Sequence, residues 1–371
     1  MDAANNTKRA IEQDFLGKFL SSPFDATIQA IERLRELGYF DLSLLYRQFY
    51  DPSVALIPPT ILFSYLLLGA LVFIAYRAAL PSDLTLGKYL FPPGIIHRQS
   101  FQLDVQWFAL AAIKGVSAIT AVIGMIFLLR LASNYLAGLG YSEWSPINGA
   151  RIQLLRLPTV VRGGLLFLSM IVTMDFINYW QHRLFHAVPI LWNFHKIHHY
   201  PRQISLLTSW RVHPAEQAIL DFINKLGLAL MIALWSPLYS SQEISGYEEF
   251  IGIQLPILGA VVAVQGFFHA FNHSTLYIHF GSILDRVFYS PSLHLIHHAR
   301  DLPNRNFANI FSFWDGIFGT LYVPKDVVEH FQISQRLGVP DIADNHYKTV
   351  IHAIVLPFLD CIPKRKKEGR N

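Results

Sequence analysis

Residues 163–199 read GGLLFLSMIVTMDFINYWQHRLFHAVPILWNFHKIHH. The first half, Gly163–Trp180, is an apolar run whose one charged residue is Asp175, and five histidines follow it: His182, His186, His195, His198 and His199. The four-residue step between His182 and His186 puts both imidazoles on one helical face, and the offsets of three and four in HKIHH predict one face for all three of its histidines. A helix leaving an apolar medium and ending in stacked imidazoles is the expectation.

The pattern returns downstream. HAFNH supplies His269 and His273, and HLIHH supplies His294, His297 and His298 with the spacing of HKIHH. Ten of the 16 histidines fall in these four clusters, against a single cysteine, Cys361, so metal chemistry in this chain is imidazole chemistry and no intramolecular disulfide is possible. One ion takes at most about six ligands, so ten histidines imply two ions with open positions. Neutral nitrogen donors without thiolates, and the lack of an HExxH motif, argue against a structural zinc site or a zinc protease and favour iron, which can activate dioxygen toward unactivated C–H bonds.

The composition supplies the medium. Of 371 residues, 52% are hydrophobic and 15% charged, more apolar surface than a soluble core of this length accommodates. Five apolar stretches carry the excess: Pro52–Tyr76, Trp107–Leu129 (with Lys114), Gly163–Trp180, Leu226–Pro237 extended back to Ile219, and Phe250–Phe268. The loop Ser236–Glu249 between the last two holds Glu243, Glu248 and Glu249 but no Lys or Arg. The segments on either side carry Arg183, Lys196, Arg202 and Arg211, then Arg286, Arg300, Arg305 and Lys325. The positive-inside rule therefore puts the histidine clusters on the cytoplasmic face of a multi-pass protein, in an endoplasmic reticulum or a bacterial inner membrane. Arg151, Arg156 and Arg162 run against that rule, which a half-membrane element among the upstream segments would reconcile. No signal-peptide pattern is expected at the N-terminus. The net charge of +4 sits partly in the tail Lys364–Arg370, read as membrane-proximal rather than as a nucleic-acid surface.

The expected fold class is all-α and integral to the membrane, with about four to five transmembrane or re-entrant helices and a cytosolic helical cap holding a dinuclear site. The expected divisions are amphipathic surface helices over 1–51, N-terminal membrane segments over 52–160, a catalytic domain over 161–325 and a tail over 326–371.

From Phe167 to Tyr322 the chain resembles the membrane fatty acid hydroxylase and sterol desaturase superfamily, through DFINYWQHRLFHAVPILWNFHKIHH, SWRVHPAE, NHSTLYIHFG, SPSLHLIHHAR and FWDGIFGTLY. The resemblance implies a histidine-ligated di-iron centre, dioxygen as co-substrate, a reducing partner, and as ligands His182, His186, His195, His198, His199, His269, His273, His294, His297 and His298. Three residues separate the histidines of the first box, as in the sterol desaturase, methylsterol oxidase and alkylglycerol monooxygenase-like branches. There is no HPGG haem-binding sequence, so electrons are expected from a separate cytochrome or ferredoxin with its reductase. Gly316 stands after WD, where relatives often have a basic residue.

Three further residues are candidates for catalytic roles. Asp175, two helical turns before His182, can orient a ligand imidazole, and His213 and His279 can support or join the ligand set. Trp180, Trp192 and Trp210 are expected as interfacial anchors, and His97, His330, His346 and His352 as surface residues. The function expected is oxidation of a bilayer lipid, sterol-like, fatty-acyl or ether-linked, by hydroxylation or desaturation. The alternative is a histidine-rich membrane protein that binds or transports metal without redox chemistry.

Overall fold

Pro189 decides where the histidine-bearing segment bends. A computed structural model describes residues 57–95, 98–114, 156–239, 271–274, 276–340, 342 and 346–362. In it a long helix over Thr159–Ala187 ends, Val188 is extended (φ −97°, ψ 114°), and a new helix starts with Pro189 at its first position. Proline there lacks only an N–H that the helix would leave unpaired, while it disfavours helical geometry in the residue before it. The break folds the second helix back, so that the His186 and His195 rings lie 4.8 Å apart between centroids.

The described helices in chain order are α1 (Ile57–Tyr76), α2 (Leu86–Leu90), α3 (Gln99–Lys114), α4 (Thr159–Ala187), α5 (Pro189–His199), α6 (Pro214–Tyr239), α7 (Pro291–His297), α8 (Phe313–Ile317), α9 (Val327–Ser334) and α10 (Val350–Asp360). Short 3₁₀ turns occupy Leu206–Trp210 and Leu284–Arg286. No strand occurs among the described residues, apart from an isolated bridge between Ala299 and Leu337, so the all-α expectation holds for them.

The chain divides into two compact units. One comprises Met1–Ile57, Gly115–Met170 and Asn224–Leu258, and lies largely outside the described residues. The other, Pro58–Lys114, Ile171–Ile223 and Gly259–Asn371, contains all the described histidines.

Of the expected apolar segments, the third lies within α4. Its stretch Gly163–Ala187, 25 residues, is the one described helix long and apolar enough to cross a membrane. At 1.5 Å per residue it spans about 37 Å, against about 30 Å of hydrocarbon. The first segment forms α1, the second begins within α3, and the fourth lies in α6, which continues through Ser236–Tyr239 where a loop was expected to begin. The rest of the second segment, Phe250–Phe268, and the surface helices expected over 1–51 lie outside the described residues.

The histidine-bearing helices are fixed by the apolar residues between their histidines. On α5, Ile197 is fully buried among Leu103 and Trp107 of α3, Tyr200, Tyr347 and Ala353 of α10. On α7, Leu293 packs with Tyr179, Tyr289, Phe307 and Ala308, while Leu295 and Ile296 pack with Ile204, Ala299, Ile333 and Leu337. Each such side chain contributes about 1.5–3 kcal/mol on burial. α7 is thus buried around its whole circumference, apolar on two sides and imidazole on the third. In the core at α1, Gly69 lets Leu90 and Leu276 approach closely, and a Cβ there would force the Leu90 side chain to shift.

His330 departs from its expected surface position. It is buried against Tyr277, with ring centroids 4.9 Å apart, because α9 packs that face toward the core. His97 lies outside the described residues, His346 is exposed, and His352 is half-buried with Nδ1 accepting from Lys348 N at 3.3 Å.

Asn306 shows how the loop before α8 is held. It is fully buried in the left-handed region (φ 54°), donates through Nδ2 to the carbonyls of Leu293 (3.0 Å) and Tyr322 (2.8 Å), and accepts from Tyr322 N (2.7 Å). Asn306→Ala removes three hydrogen bonds of about 1 kcal/mol each and leaves a backbone that alanine adopts at a cost of about 1 kcal/mol more. A loss of about 3–4 kcal/mol is expected in denaturant unfolding of the metal-free protein, and a loss below about 1 kcal/mol would contradict this account.

Candidate metal centre

Nine imidazoles from four parts of the chain converge in two adjoining groups. The first comprises His182, His186, His195, His199 and His297, and the second His198, His273, His294 and His298. Within each group the nitrogens that can serve as ligands all lie within 4.8 Å of one another. His269 lies outside the described residues.

The grouping corrects the expectation that HKIHH and HLIHH each present one face. His195 and His199 enter the first group while His198 enters the second. His294 and His298 enter the second while His297 enters the first. The reason is helical geometry: residues four apart differ by about 40° around the axis, but adjacent residues differ by about 100°. Each triplet therefore straddles the two groups, and α5 and α7 supply them reciprocally. The groups touch where His199 stacks on His298, centroids 4.3 Å apart at 23°.

Six of the outward nitrogens are hydrogen-bonded to the protein, whereas the buried Nδ1 of His298 has no such partner. Nδ1 of His182 donates to Phe307 O (2.9 Å), that of His297 to Arg305 O (2.7 Å) and that of His198 to Arg211 O (3.3 Å). Nδ1 of His195 meets the Glu216 carboxylate at 2.6 Å, that of His273 meets Ser209 Oγ at 2.9 Å, and that of His294 lies 3.4 Å from the Tyr289 hydroxyl. A carbonyl or carboxylate oxygen can only accept, so these partners assign the Nδ1–H tautomer to His182, His195, His198 and His297 and leave their Nε2 lone pairs facing inward.

Those inward atoms are unusually close. Nε2–Nε2 separations are 3.2 Å for His195–His199, 3.0 Å for His199–His297, 2.9 Å for His198–His273 and His273–His294, and 3.1 Å for His294–His298. Nitrogens bound to one ion at about 2.1 Å and at right angles lie about 3.0 Å apart. Protons do not relieve the crowding. Burial first, and neighbouring imidazoles second, hold His198, His199, His294 and His298 well below the usual histidine pKa, and burial pushes His297 down to about 3. His186 adds a buried Nε2 with no hydrogen-bond partner. Converging neutral lone pairs are the donor set of a transition-metal ion, and the residues fit two such ions.

Two loops deliver the supporting groups. Residues 305–311 carry the carbonyls that hold His182 and His297. Asp175 accepts from Ile310 N (2.9 Å) and Phe311 N (2.8 Å), and Asp315 from Phe307 N (2.7 Å) and Ala308 N (2.9 Å). Asp175 thus bonds to the loop that holds His182 rather than to an imidazole. His213 sits in neither group: it caps α6, accepting from Ala215 N (3.0 Å) on Nδ1 and donating from Nε2 to Ile354 O (2.9 Å). His279 is likewise apart, with Nε2 on the Tyr76 hydroxyl (2.9 Å) and Nδ1 accepting from Gly281 N (3.1 Å). Both of their ring nitrogens are already engaged. Trp192, expected as an interfacial anchor, stands against His186 and His199 with centroids 4.9 and 5.5 Å away.

Sequence reasoning passed over Glu216, although it lies in the quoted RVHPAE stretch, one turn into α6. An acidic residue in the first turn of a helix reads equally as a partner for the helix dipole.

Among the described residues, a helical domain brings together two imidazole groups, each able to hold a metal ion. Residues 167–320 match the fatty acid hydroxylase family, and this match supports the likeness to the fatty acid hydroxylase and sterol desaturase superfamily. The chain is similar to the ornithine lipid hydroxylase OlsE of Rhizobium tropici, 29% identical over 42% of this chain and 41% of that protein. It is also similar to the alkylglycerol monooxygenase of Homo sapiens, 27% identical over 43% of this chain and 31% of the relative. To methylsterol monooxygenase 2-1 of Arabidopsis thaliana it is 31% identical over 43% and 56%. These matches span less than two thirds of the relatives' lengths. No solved structure matches the chain.

Glu216→Gln keeps the shape but removes the charge from the His195 contact, and should weaken metal binding about 10–100-fold. Competition with a chelator of known affinity measures this, and unchanged affinity would contradict the role assigned to Glu216.

Proposed function

We propose that this protein is an integral-membrane di-iron oxidoreductase that uses dioxygen to hydroxylate or desaturate a lipid. The observation that carries this reading is the convergence of nine imidazoles, seven of them buried, in two adjoining groups. The relatives are by name lipid hydroxylases and monooxygenases, which supports lipid oxidation. Ornithine lipids, alkylglycerols and methylsterols share an extended apolar body with a polar end, and a sterol-like, fatty-acyl or ether lipid is the substrate class proposed here.

Iron held by imidazoles with open positions supplies oxidation of unactivated C–H bonds, chemistry that side chains cannot perform. The protein's own part is to hold, orient and keep dry. The carbonyls of Arg211, Arg305 and Phe307 and the Glu216 carboxylate fix imidazole orientation. Phe307 covers His182, His186 and His297 at centroid distances of 5.1–5.6 Å, and with Trp192 it walls the first group against water.

The length of the apolar stretch in α4 supports a membrane setting. So does a stripe of exposed apolar residues on α1 (Leu62, Leu67, Leu71, Ile74) and another on α10 (Ile351, Val355, Phe358). With four to five spans and the histidines at the cytoplasmic face, a lipid chain reaches the centre from the bilayer, and a separate cytochrome or ferredoxin with its reductase delivers electrons. Asp175 is assigned a positioning part through residues 307–311, and His213 and His279 a part in holding the surrounding helices. His269, which lies outside the described residues, is proposed as a further ligand.

Purified protein loaded with ferrous iron and supplied with a reductase system should consume dioxygen only when a substrate lipid is present. His297→Ala and His198→Ala, one from each group, should each reduce this to background. Metal binding without lipid-dependent oxygen uptake, across sterol, acyl and ether lipids, would favour the metal-transport alternative.

A further inference from the structure

We infer that Asp104, on α3 and outside the matched segment 167–320, is the positioning residue for the second histidine group, acting through the turn Ser205–Arg211. The inference rests on reading the two groups as a metal centre.

Asp104 is almost fully buried. Its Oδ1 accepts from Arg211 Nε at 2.7 Å, and its Oδ2 from Thr208 Oγ1 at 3.0 Å and Ser205 Oγ at 3.4 Å. Arg211, itself fully buried, also donates from Nη2 to the carbonyl and hydroxyl of Ser100. One carboxylate therefore gathers three side chains of a single tight turn, whose Ser205 and Thr208 further bond each other as a capping box. That turn presents the Ser209 hydroxyl to His273 and the Arg211 carbonyl to His198. Both histidines belong to the second group.

A buried ion pair adds little net stability over well-packed apolar residues, because desolvation offsets its attraction. It does fix geometry. Here the fixed element carries two of the hydrogen bonds that aim imidazoles of one group, and among the described residues the hydrogen bonds to His182, His195 and His297 come from elsewhere. The first group's carbonyls come from residues 305–307, held by Asp315 and Asn306. Ligand orientation must hold to about 0.5 Å for a working site, so loosening one clamp should affect one metal and spare the other.

The test is anaerobic titration of the full-length, metal-stripped protein with ⁵⁷Fe²⁺, followed by Mössbauer spectroscopy, which counts and separates the two sites without any turnover. The signals lost in His186→Ala and His294→Ala assign the first and second groups. Asp104→Asn should weaken iron binding about tenfold or more at the second-group signal while leaving the first within about twofold. Asp315→Asn should weaken the first-group signal, through Phe307 and His182. If Asp104→Asn does not fold, Thr208→Val, which removes one arm of the same clamp, is measured instead with the same expectation. Equal loss at both sites, or no loss at the second, overturns the inference. A wild-type protein binding no iron overturns the metal reading itself, and is distinguished by the absence of both signals at the start.

Discussion

The hydrogen bond from an outward imidazole Nδ1 to a fixed protein oxygen is the constraint on which the histidine centre depends. Where the oxygen is a carbonyl or carboxylate it assigns the tautomer, and the tautomer turns the Nε2 lone pair of His182, His195, His198 or His297 toward the neighbouring rings. Five Nε2–Nε2 separations of 2.9–3.2 Å are those of nitrogens gathered around a shared cation. The surrounding fold is what keeps the oxygens in place. Asn306 and Asp315 hold the carbonyls on either side of Asn306, and Asp104 holds the turn that carries Arg211 and Ser209.

What was legible in the sequence is what local geometry controls. The step from His182 to His186 is sufficient to expect a helix ending in stacked imidazoles, and α4 is that helix. Counting ligands leads to two groups, and two groups able to hold a metal are present among the described residues. The partition of the histidines does not follow from counting, because the offsets of three and four in HKIHH suggest one face, while the 100° between His198 and His199 becomes decisive only when a second helix approaches from the far side. α7 supplies that approach, and its own triplet divides in the complementary way.

Residues acting across long separations left no local pattern. Asp104 meets Arg211 across 107 positions and Asp175 meets Ile310 across 135. An aspartate near the start of an apolar helix carries no sign of which loop it will hold. His213 and His279 illustrate the converse: each lies beside a ligand motif in the chain, yet their ring nitrogens are taken up by a helix cap and by Tyr76. His330, isolated in sequence, is buried because α9 packs against the core, a tertiary fact with no one-dimensional trace.

The supports also differ in charge between the groups. In the first, one imidazole faces a carboxylate at 2.6 Å and two face carbonyls. In the second, the described partners are a carbonyl, a serine hydroxyl and a tyrosine hydroxyl, all neutral. An imidazole whose N–H is bonded to a carboxylate is the more basic donor, so His195 gives its group a more electron-rich ligand than any whose support is described in the other. Two ions bound by neutral nitrogens would place several positive charges in a buried volume, and Glu216 is the one carboxylate that contacts a described ligand ring directly. Charge compensation therefore enters from the first-group side, by way of α6. The two halves share α5 and α7, but their described supports give them unequal electrostatic surroundings, as different tasks at two adjoining ions would require.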